Sequence, residues 1–425
     1  MLKMKLHWQI LMALIAGVGV GLLTPPEASF FGVSILSIYE FLGTLFLNAL
    51  RMVIVPLIVA SIITGVAGVG GEKGLGRLGV KTVIYYLTTS TLGILVGLAL
   101  VNVIQPGIVD GQPAGERLGL AENTADVLGQ MAGTGAGDIA EVFLRMVPVN
   151  VVAAAAEGQM LGLIFFSLLF GYFMTRLEPD PATLLTRMWR AIFETMMRIT
   201  LWVMMFAPVG VFGLVAVTVA TTGFAAFVPL LSFCVTVLLG LAIHSFITLP
   251  LMLRWIGHVS PWAHFRAFSP ALLTAFSTAS SSATLPITLE CAQKNAGVSN
   301  RTSSLVLPLG ATINMDGTAL YECVAAMFIA QAYGIDVTFG AQFTIVLLAL
   351  LTSIGVAGIP AASLVAIVVI LTAIGLPIEG VGLILVVDRI LDMSRTAVNV
   401  FGDCSGTVII ARTEGETEVL AANPT

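Results

Sequence analysis

Eight stretches of this chain are apolar for long enough to cross a lipid bilayer: residues 8–24, 38–69, 79–104, 139–176, 188–220, 223–253, 303–333 and 381–411. A helix needs about 20 apolar residues to span the hydrocarbon core, because each residue adds about 1.5 Å. No water reaches the backbone there, so each run is confined to a helix. Two further apolar stretches, near 265–292 and 339–373, are interrupted by small residues and proline. Composition points the same way. Of the 425 residues, 57% are apolar and 10% charged, whereas a soluble domain carries about 25% charged residues. So few charges cannot clothe a water-facing surface, and the exterior is expected to face lipid.

Several function classes drop out. The net charge of -5 is spread along the chain, with no basic block to suggest a nucleic-acid partner. Cys234, Cys291, Cys323 and Cys404 are scattered, no CxxC pair occurs, and His7, His244, His258 and His264 do not cluster with them. A disulfide framework, a zinc site and a resident cofactor are not expected. Lys3 and Lys5 before the apolar run Ile10–Leu23 imitate a signal peptide, but Thr24, Pro25 and Pro26 follow in place of a small-x-small cleavage site. The run reads as the first membrane helix.

Loop charges orient the chain. Lys73, Arg77 and Lys81 lie in the 70–82 loop, Arg176, Arg187 and Arg190 in 176–190, and Arg254 and Arg266 in 253–268. The 105–138 loop sets Arg117 against Asp110, Glu116, Glu122, Asp126 and Asp138. Alternating basic loops place the N- and C-termini in the cytoplasm. The Gly- and Asp-rich stretch 106–138 then lies outside and is expected to be flexible.

The last apolar run constrains function most. Between Asp388 and Asp403 its polar residues are Asp388, Asp392, Arg395, Thr396, Asn399 and Asp403. On a helix turning about 100° per residue, all six fall within an arc of about 100°. Ile390, Leu391, Met393, Ala397, Val398, Val400 and Phe401 stand between them. Ionised groups at membrane depth cost about 2.5–3.5 kcal/mol each, on the order of 10 kcal/mol for three carboxylates and an arginine left uncompensated. The stripe must face protein or a wet cavity. A salt-bridge network that only joins helices is one reading, but buried ion pairs are poor glue, since desolvation can exceed the Coulomb gain. Three aspartates against one or two arginines also leave negative charge for cations to balance. Arg389 falls at the edge of the stripe, placed to snorkel to an interface.

A second polar centre, Asn314-Met315-Asp316-Gly317-Thr318, interrupts the run 303–333. Asn, Asp and Gly together suggest an unwound turn that frees backbone carbonyls, the hard oxygen ligands an alkali cation prefers. A simple kink would explain the glycine but not the aspartate. The two interrupted stretches, with tips Ser280-Ser281-Ser282 and Gly358-Ile359-Pro360, each precede one of the polar centres by some 33 or 34 residues. This faint internal repeat reads as two re-entrant hairpins, each followed by a helix with a polar middle. Chance small-residue packing is the alternative.

These pieces, with Tyr85-Tyr86-Leu87-Thr88-Thr89-Ser90 in the third run and Asp392-x-x-Arg395-Thr396-x-x-Asn399-x-x-x-Asp403 in the last, resemble the glutamate transporter family, the dicarboxylate/amino acid:cation symporters that include the excitatory amino-acid transporters. The order of motifs agrees from end to end. Inverted repeats with midplane sites are a family trait, so the repeat and the resemblance are not independent. The resemblance implies an all-α integral membrane protein of eight transmembrane helices plus two re-entrant helical hairpins, a homotrimer in the lipid of a cell inner membrane, working as an elevator. Residues 1–78 and 139–222 would form a trimerising scaffold. Residues 79–138 would supply the third helix of a transport domain and an extracellular loop, and 223–425 the rest of that domain.

Roles carry over by position. Arg395 resembles the residue that holds the substrate side-chain carboxylate, and Asp392 the acceptor of its amino group. Ser281, Thr318, Ile359, Thr396 and Asn399 would complete the substrate shell. Sodium sites would draw on Gly310, Asn314, Asn399 and Asp403; on Tyr86, Thr89, Ser90, Asn314 and Asp316; and on backbone near Thr312, Ser353 and Ile354. Glu322 matches the glutamate credited with carrying a proton in animal members; a permanently hydrogen-bonded glutamate is the alternative. Asp403, where proton-coupled bacterial relatives tend to have asparagine, favours sodium, and Arg395 favours an acidic substrate. Two helper arginines of the family are absent: Ala279 and Met393 stand in their places. The implied activity is sodium-coupled import of aspartate or glutamate, with no enzymatic reaction. A proton-coupled C4-dicarboxylate carrier, an ion channel and an intramembrane protease are the other readings. Asp392 speaks against the first, the sealed hairpins and single-arginine stripe against the second, and the lack of a histidine near Ser280–Ser282 against the third.

Overall fold

The computed structural model describes residues 6–25, 27–30, 32–70, 76–115, 118, 144, 147–157, 159–222, 227–355, 362–377 and 380–420. Its helices are α1 (Leu6–Leu23), α2 (Ile35–Gly70), α3 (Gly76–Ile104), α4 (Val151–Ala156), α5 (Met160–Met174), α6 (Pro179–Met204), α7 (Ala207–Thr222) and α8 (Phe227–Ile243). A π turn (His244–Thr248) joins α8 to α9 (Leu249–Trp255). Then come α10 (Pro261–Thr278), α11 (Ser281–Glu290) with a second π turn (Cys291–Asn295), α12 (Asn300–Ile313), α13 (Asp316–Ala332), α14 (Phe339–Gly355), α15 (Ala362–Ala373) and α16 (Val381–Thr413).

Helix starts follow local chemistry. Ser260 and Ser299 cap α10 and α12, accepting hydrogen bonds from Ala263 N and Thr302 N, and Pro261 opens α10 where no N–H is needed. Large apolar side chains stand exposed along these helices, including Ile15, Leu23, Phe41, Met52, Val80, Ile84, Leu231 and Phe246. Apolar surface of that extent belongs in hydrocarbon.

The structure corrects several sequence boundaries. The run 188–220 is not one straight helix: α6 and α7 meet at a 50° bend. The break falls at Met205–Phe206, just before Pro208, whose missing N–H cannot continue the ladder. The run 139–176 is helical, among the described residues, at Leu144 and over α4 and α5. By length and apolarity, Arg77–Ile104 and Val228–Trp255 are long enough to cross a membrane, and a third span results if the bent pair counts as one, among the described residues. The loop expected to be flexible contains order at its start. Asp110 and Gly111, both at positive φ, turn Ile108–Val109 back onto Gln112–Pro113 as a tight hairpin. Gly107 N donates to Gln331 Oε1 at 3.1 Å, docking this hairpin on the end of α13.

Packing sorts the helices. α1, α2, α5, α6 and α7 lie against one another, while α3, α8, α10, α12 and α13 gather around α16. α13 is central: every residue but Gln331 is buried. The tail after α16 ties down the far end of this second group. Glu414 accepts from Lys81 at 2.5 Å, and Glu416 accepts from Ser299 Oγ at 2.7 Å and Thr302 Oγ1 at 2.5 Å, at the N-terminus of α12. A carboxylate is favoured there because the first N–H groups of the helix lack partners.

Candidate functional site

The site begins where α12 stops. Asn314 is extended (φ -95°, ψ 101°), Met315 is non-helical, and α13 starts at Asp316 without a cap from its own N-cap side chain. Asn399 of α16 supplies that cap instead. Its Oδ1 accepts from Gly317 N at 2.8 Å and Thr318 N at 3.2 Å, and its Nδ2 donates to Thr318 Oγ1 at 3.0 Å. One side chain therefore joins the broken helix to the polar stripe.

Two clusters flank this junction, both buried. In the first, Asn314 Nδ2 donates to Asp403 Oδ1 at 3.0 Å. Thr89 and Ser90 from α3 donate to Asp316 Oδ1 at 3.2 and 3.1 Å, and Thr89 reaches Asn314 Oδ1 at 3.3 Å. His244 Nε2 stands 3.2 Å from Asp316 Oδ2. Tyr86 donates to Val306 O at 2.7 Å, with its hydroxyl beside the cluster. Two glycines make the room. A Cβ on Gly310 would lie 2.5 Å from both Asp403 Oδ1 and the Tyr86 hydroxyl, and one on Gly402 would lie 2.5 Å from Asp316 Oδ2. No group of three His, Cys, Asp or Glu able to hold a metal occurs among the described residues. The donors here are two carboxylates, an amide, hydroxyls and helix-end carbonyls, hard oxygens suited to an alkali cation.

In the second cluster the Arg395 guanidinium, 1% exposed, lies between two carboxylates of its own helix. Nη1 donates to Asp388 Oδ1 and Nη2 to Asp392 Oδ1, each at 2.9 Å. Tyr321 of α13 donates to Asp388 Oδ1 at 2.8 Å, and its ring lies 4.1 Å below the guanidinium carbon. A cation over an aromatic face is stabilised further once water is removed. Guanidinium carries five N–H donors, so these two ion pairs leave capacity for a guest carboxylate.

The remaining sequence candidates are distributed as follows. Thr396 is buried on the same helix. Ser281 is buried at the tip of a tight helical turn, where Ala279 is left-handed (φ 51°) and Ser280 accepts from Ala283 N. Ser353 is buried in the last turn of α14, and Ile354 lies in that same turn. Thr312 is exposed and donates to Leu309 O within its own helix. Ser281 and Thr312 make no hydrogen bond to the stripe among the described residues. Ile359, with the whole second tip, lies outside the described residues. Glu322 is fully buried, its Oε2 accepting from Thr352 at 2.9 Å and its Oε1 without a partner among the described residues.

Sequence reasoning missed three contributors. Asp388 was visible on the stripe but not as Arg395's second partner. Tyr321 is one residue from Glu322, and nothing in the sequence ties it to α16. His244 sits in an unbroken apolar run with no local motif.

A largely helical chain with an apolar exterior, burying an arginine and aspartates around a broken helix, has the architecture of a membrane transporter. Residues 6–413 match the model of the sodium:dicarboxylate symporter family. The proton/glutamate-aspartate symporter of Escherichia coli (strain K12) is 38% identical over 415 residues, covering 97% of this chain and 94% of that one. The proton/sodium-glutamate symport protein of Geobacillus stearothermophilus is 35% identical over 417 residues, covering 98% and 96%. Excitatory amino acid transporter 3 of Mus musculus is 36% identical over 414 residues, covering 88% and 79%. The chain belongs to the sodium:dicarboxylate symporter family, and is a transporter rather than an enzyme.

Proposed function

We propose that this chain is a secondary active symporter that imports aspartate or glutamate with sodium. The observation that carries this reading is Arg395, a buried fork between Asp388 and Asp392 with donors to spare. A substrate side-chain carboxylate suits its bidentate geometry, and Asp392 is the natural acceptor for the substrate ammonium. Thr318, Thr396 and Asn399, with Ser281 and the backbone around Ile359, complete the shell. Relatives named for glutamate and aspartate symport support the substrate class.

Sodium would be held by Asn399 and Asp403 with carbonyls of Gly310 and Asn314. A second ion would lie among Tyr86, Thr89, Ser90, Asn314 and Asp316, and a third near the backbone of Thr312, Ser353 and Ile354. Three relatives' names include both proton and sodium, and Glu322 would carry the proton. Uptake by Glu322→Gln with unchanged pH dependence would remove that role. The finer architecture belongs to the same reading: eight transmembrane helices with two re-entrant hairpins, a homotrimer in the inner membrane with cytoplasmic termini, and a transport domain (79–138 and 223–425) that slides against a scaffold (1–78 and 139–222).

The test is uptake of labelled aspartate into proteoliposomes. A sodium gradient is expected to drive accumulation, competed by glutamate and not by succinate or serine. Uptake driven equally well by a proton gradient alone, or competed by succinate, overturns the sodium-coupled amino-acid reading.

A further inference from the structure

We propose that His244 is a positioning residue for Asp316, fixing its carboxylate so that the cation cluster is pre-formed. This rests on the reading of Thr89, Ser90, Asn314 and Asp316 as sodium ligands. The backbone supplies the first observation. α8 does not run straight into α9; at His244–Thr248 it widens by one π turn, in which Leu249 N bonds to His244 O. Such insertions are rare, shift side chains out of α-helical register and recur at functional sites. Here the turn carries a fully buried imidazole to the carboxylate.

The second observation is the division of labour at Asp316. Oδ1 accepts from two hydroxyls of α3, Thr89 and Ser90, while Oδ2 faces His244 Nε2. Pairing with a carboxylate oxygen uses the imidazole tautomer that carries its hydrogen on Nε2. Polar groups from two separate segments, α3 and the π turn, thus face the two oxygens of the carboxylate. The third observation is spatial. Gly93 of α3 lets the start of α13 come close beside the ring, since a Cβ there would lie 3.1 Å from Asp316 O and in ordinary contact, at 3.4 Å, with His244 Cε1. Nδ1 has no partner among the described residues. An apolar side chain would fill the space without that buried, unpaired nitrogen, so the hydrogen bond to Asp316 is what histidine adds. Groups that orient a ligand's carboxylate are worth about 10–100-fold in metal affinity.

The experiment measures the rise in melting temperature of the full-length protein with sodium chloride, ionic strength being held constant with choline chloride. Bound ion stabilises the folded state by mass action, so the curve reports sodium affinity whatever the transported solute. Three variants are compared with the parent. Gln at 244 places an amide N–H near the position of Nε2, Asn places one near Nδ1, and Leu places none. His244→Asn and His244→Leu are expected to need about tenfold more sodium for the same rise, and His244→Gln to stay within about twofold of the parent. Sodium-free melting temperatures should stay close to the parent's. Asn and Leu variants that titrate like the parent, with or without a lower sodium-free melting temperature, make His244 a packing residue and overturn the proposal. A Gln variant as impaired as Leu does the same. Asp316→Asn is run alongside: if it too leaves the sodium dependence unmoved, the reading of the cation site falls, whereas a shift there with none at His244 defeats this inference alone.

Discussion

Two helix crossings in this protein are equally close but hold different things between them. Where α1 meets α7, Gly17 and Gly21 let the backbones approach, and a Cβ on Gly21 would lie 2.8 Å from Ala216 O and 2.9 Å from Val219 Cβ. The facing side chains are Val215 and Val219, and small residues serve apolar contact alone. Where α13 meets α16, a Cβ on Gly317 would lie 2.8 Å from Arg395 O, and the neighbouring space is filled by Asn399, Tyr321, Arg395 and Asp388. The same device, a glycine at a crossing, brings surfaces together in one place and admits buried charge in the other. Substitutions at the first crossing should cost stability alone, whereas those at the second should also change what the protein binds.

The largest expected effect breaks the charged crossing outright. Arg395→Ala leaves Asp388 and Asp392 buried without their cation, a loss of about 3–5 kcal/mol. Thermal melting should fall steeply and aspartate uptake should vanish; a variant that melts and transports like the parent would erase the contrast. Next is Gly402→Ala, whose Cβ would collide with Asp316 Oδ2 at 2.5 Å. Overpacking of this kind costs about 2 kcal/mol, and the sodium concentration for half-maximal uptake should rise with it. Gly21→Ala sharpens the comparison from the other side. Its steric cost is partly offset by alanine's better helix propensity, leaving a loss of about 1 kcal/mol. Uptake per folded molecule should then stay at the parent's level. A changed sodium dependence in Gly21→Ala would show that the two crossings are not separate in function.

The smallest effect concerns the tail. Partial burial raises the Glu416 pKa, but hydrogen bonds from Thr302 and Ser299 outweigh it and hold the carboxyl below its ordinary range. A depressed folded-state pKa means that the stabilisation is complete above the unfolded value and lost as pH falls through the folded one. Glu416→Gln should therefore lower stability by about 1 kcal/mol at pH 7. The difference from the parent should begin to shrink as pH falls below the ordinary glutamate value, about 4.3, and disappear only below the depressed folded-state pKa. A difference that persisted in acid would show that the Glu416 side chain stabilises the tail without its charge.

Much of the site could be read before the structure because it is written in periodicity. Charges on a helix that must be apolar outside betray their face, and Asn-Met-Asp-Gly inside an apolar run betrays a break; the helices do stop at Ile313 and resume at Asp316. The Asp110–Gly111 hairpin has a signal too, an Asp-Gly pair that tolerates positive φ, which the Gly- and Asp-rich composition around it masks. The bend between α6 and α7 has a local signal in Pro208, which the apolar length of the run outweighs when the run is read as one span. Asp388's partnership, Tyr321 and His244 had no local signal, since each acts on a residue of another helix or another turn.

What sequence alone determined is therefore the one-dimensional part: which segments are apolar enough to leave water, which face of the last helix is charged, and where a helix must break. These follow from transfer energies and backbone chemistry, which act residue by residue. Only the tertiary structure decided which donors meet which carboxylates, because hydrogen bonds are satisfied across helices. That Asn399 caps α13, that Tyr321 lies beneath Arg395 and that His244 faces Asp316 depends on distances of about 3–4 Å set by how α3, α8, α13 and α16 pack.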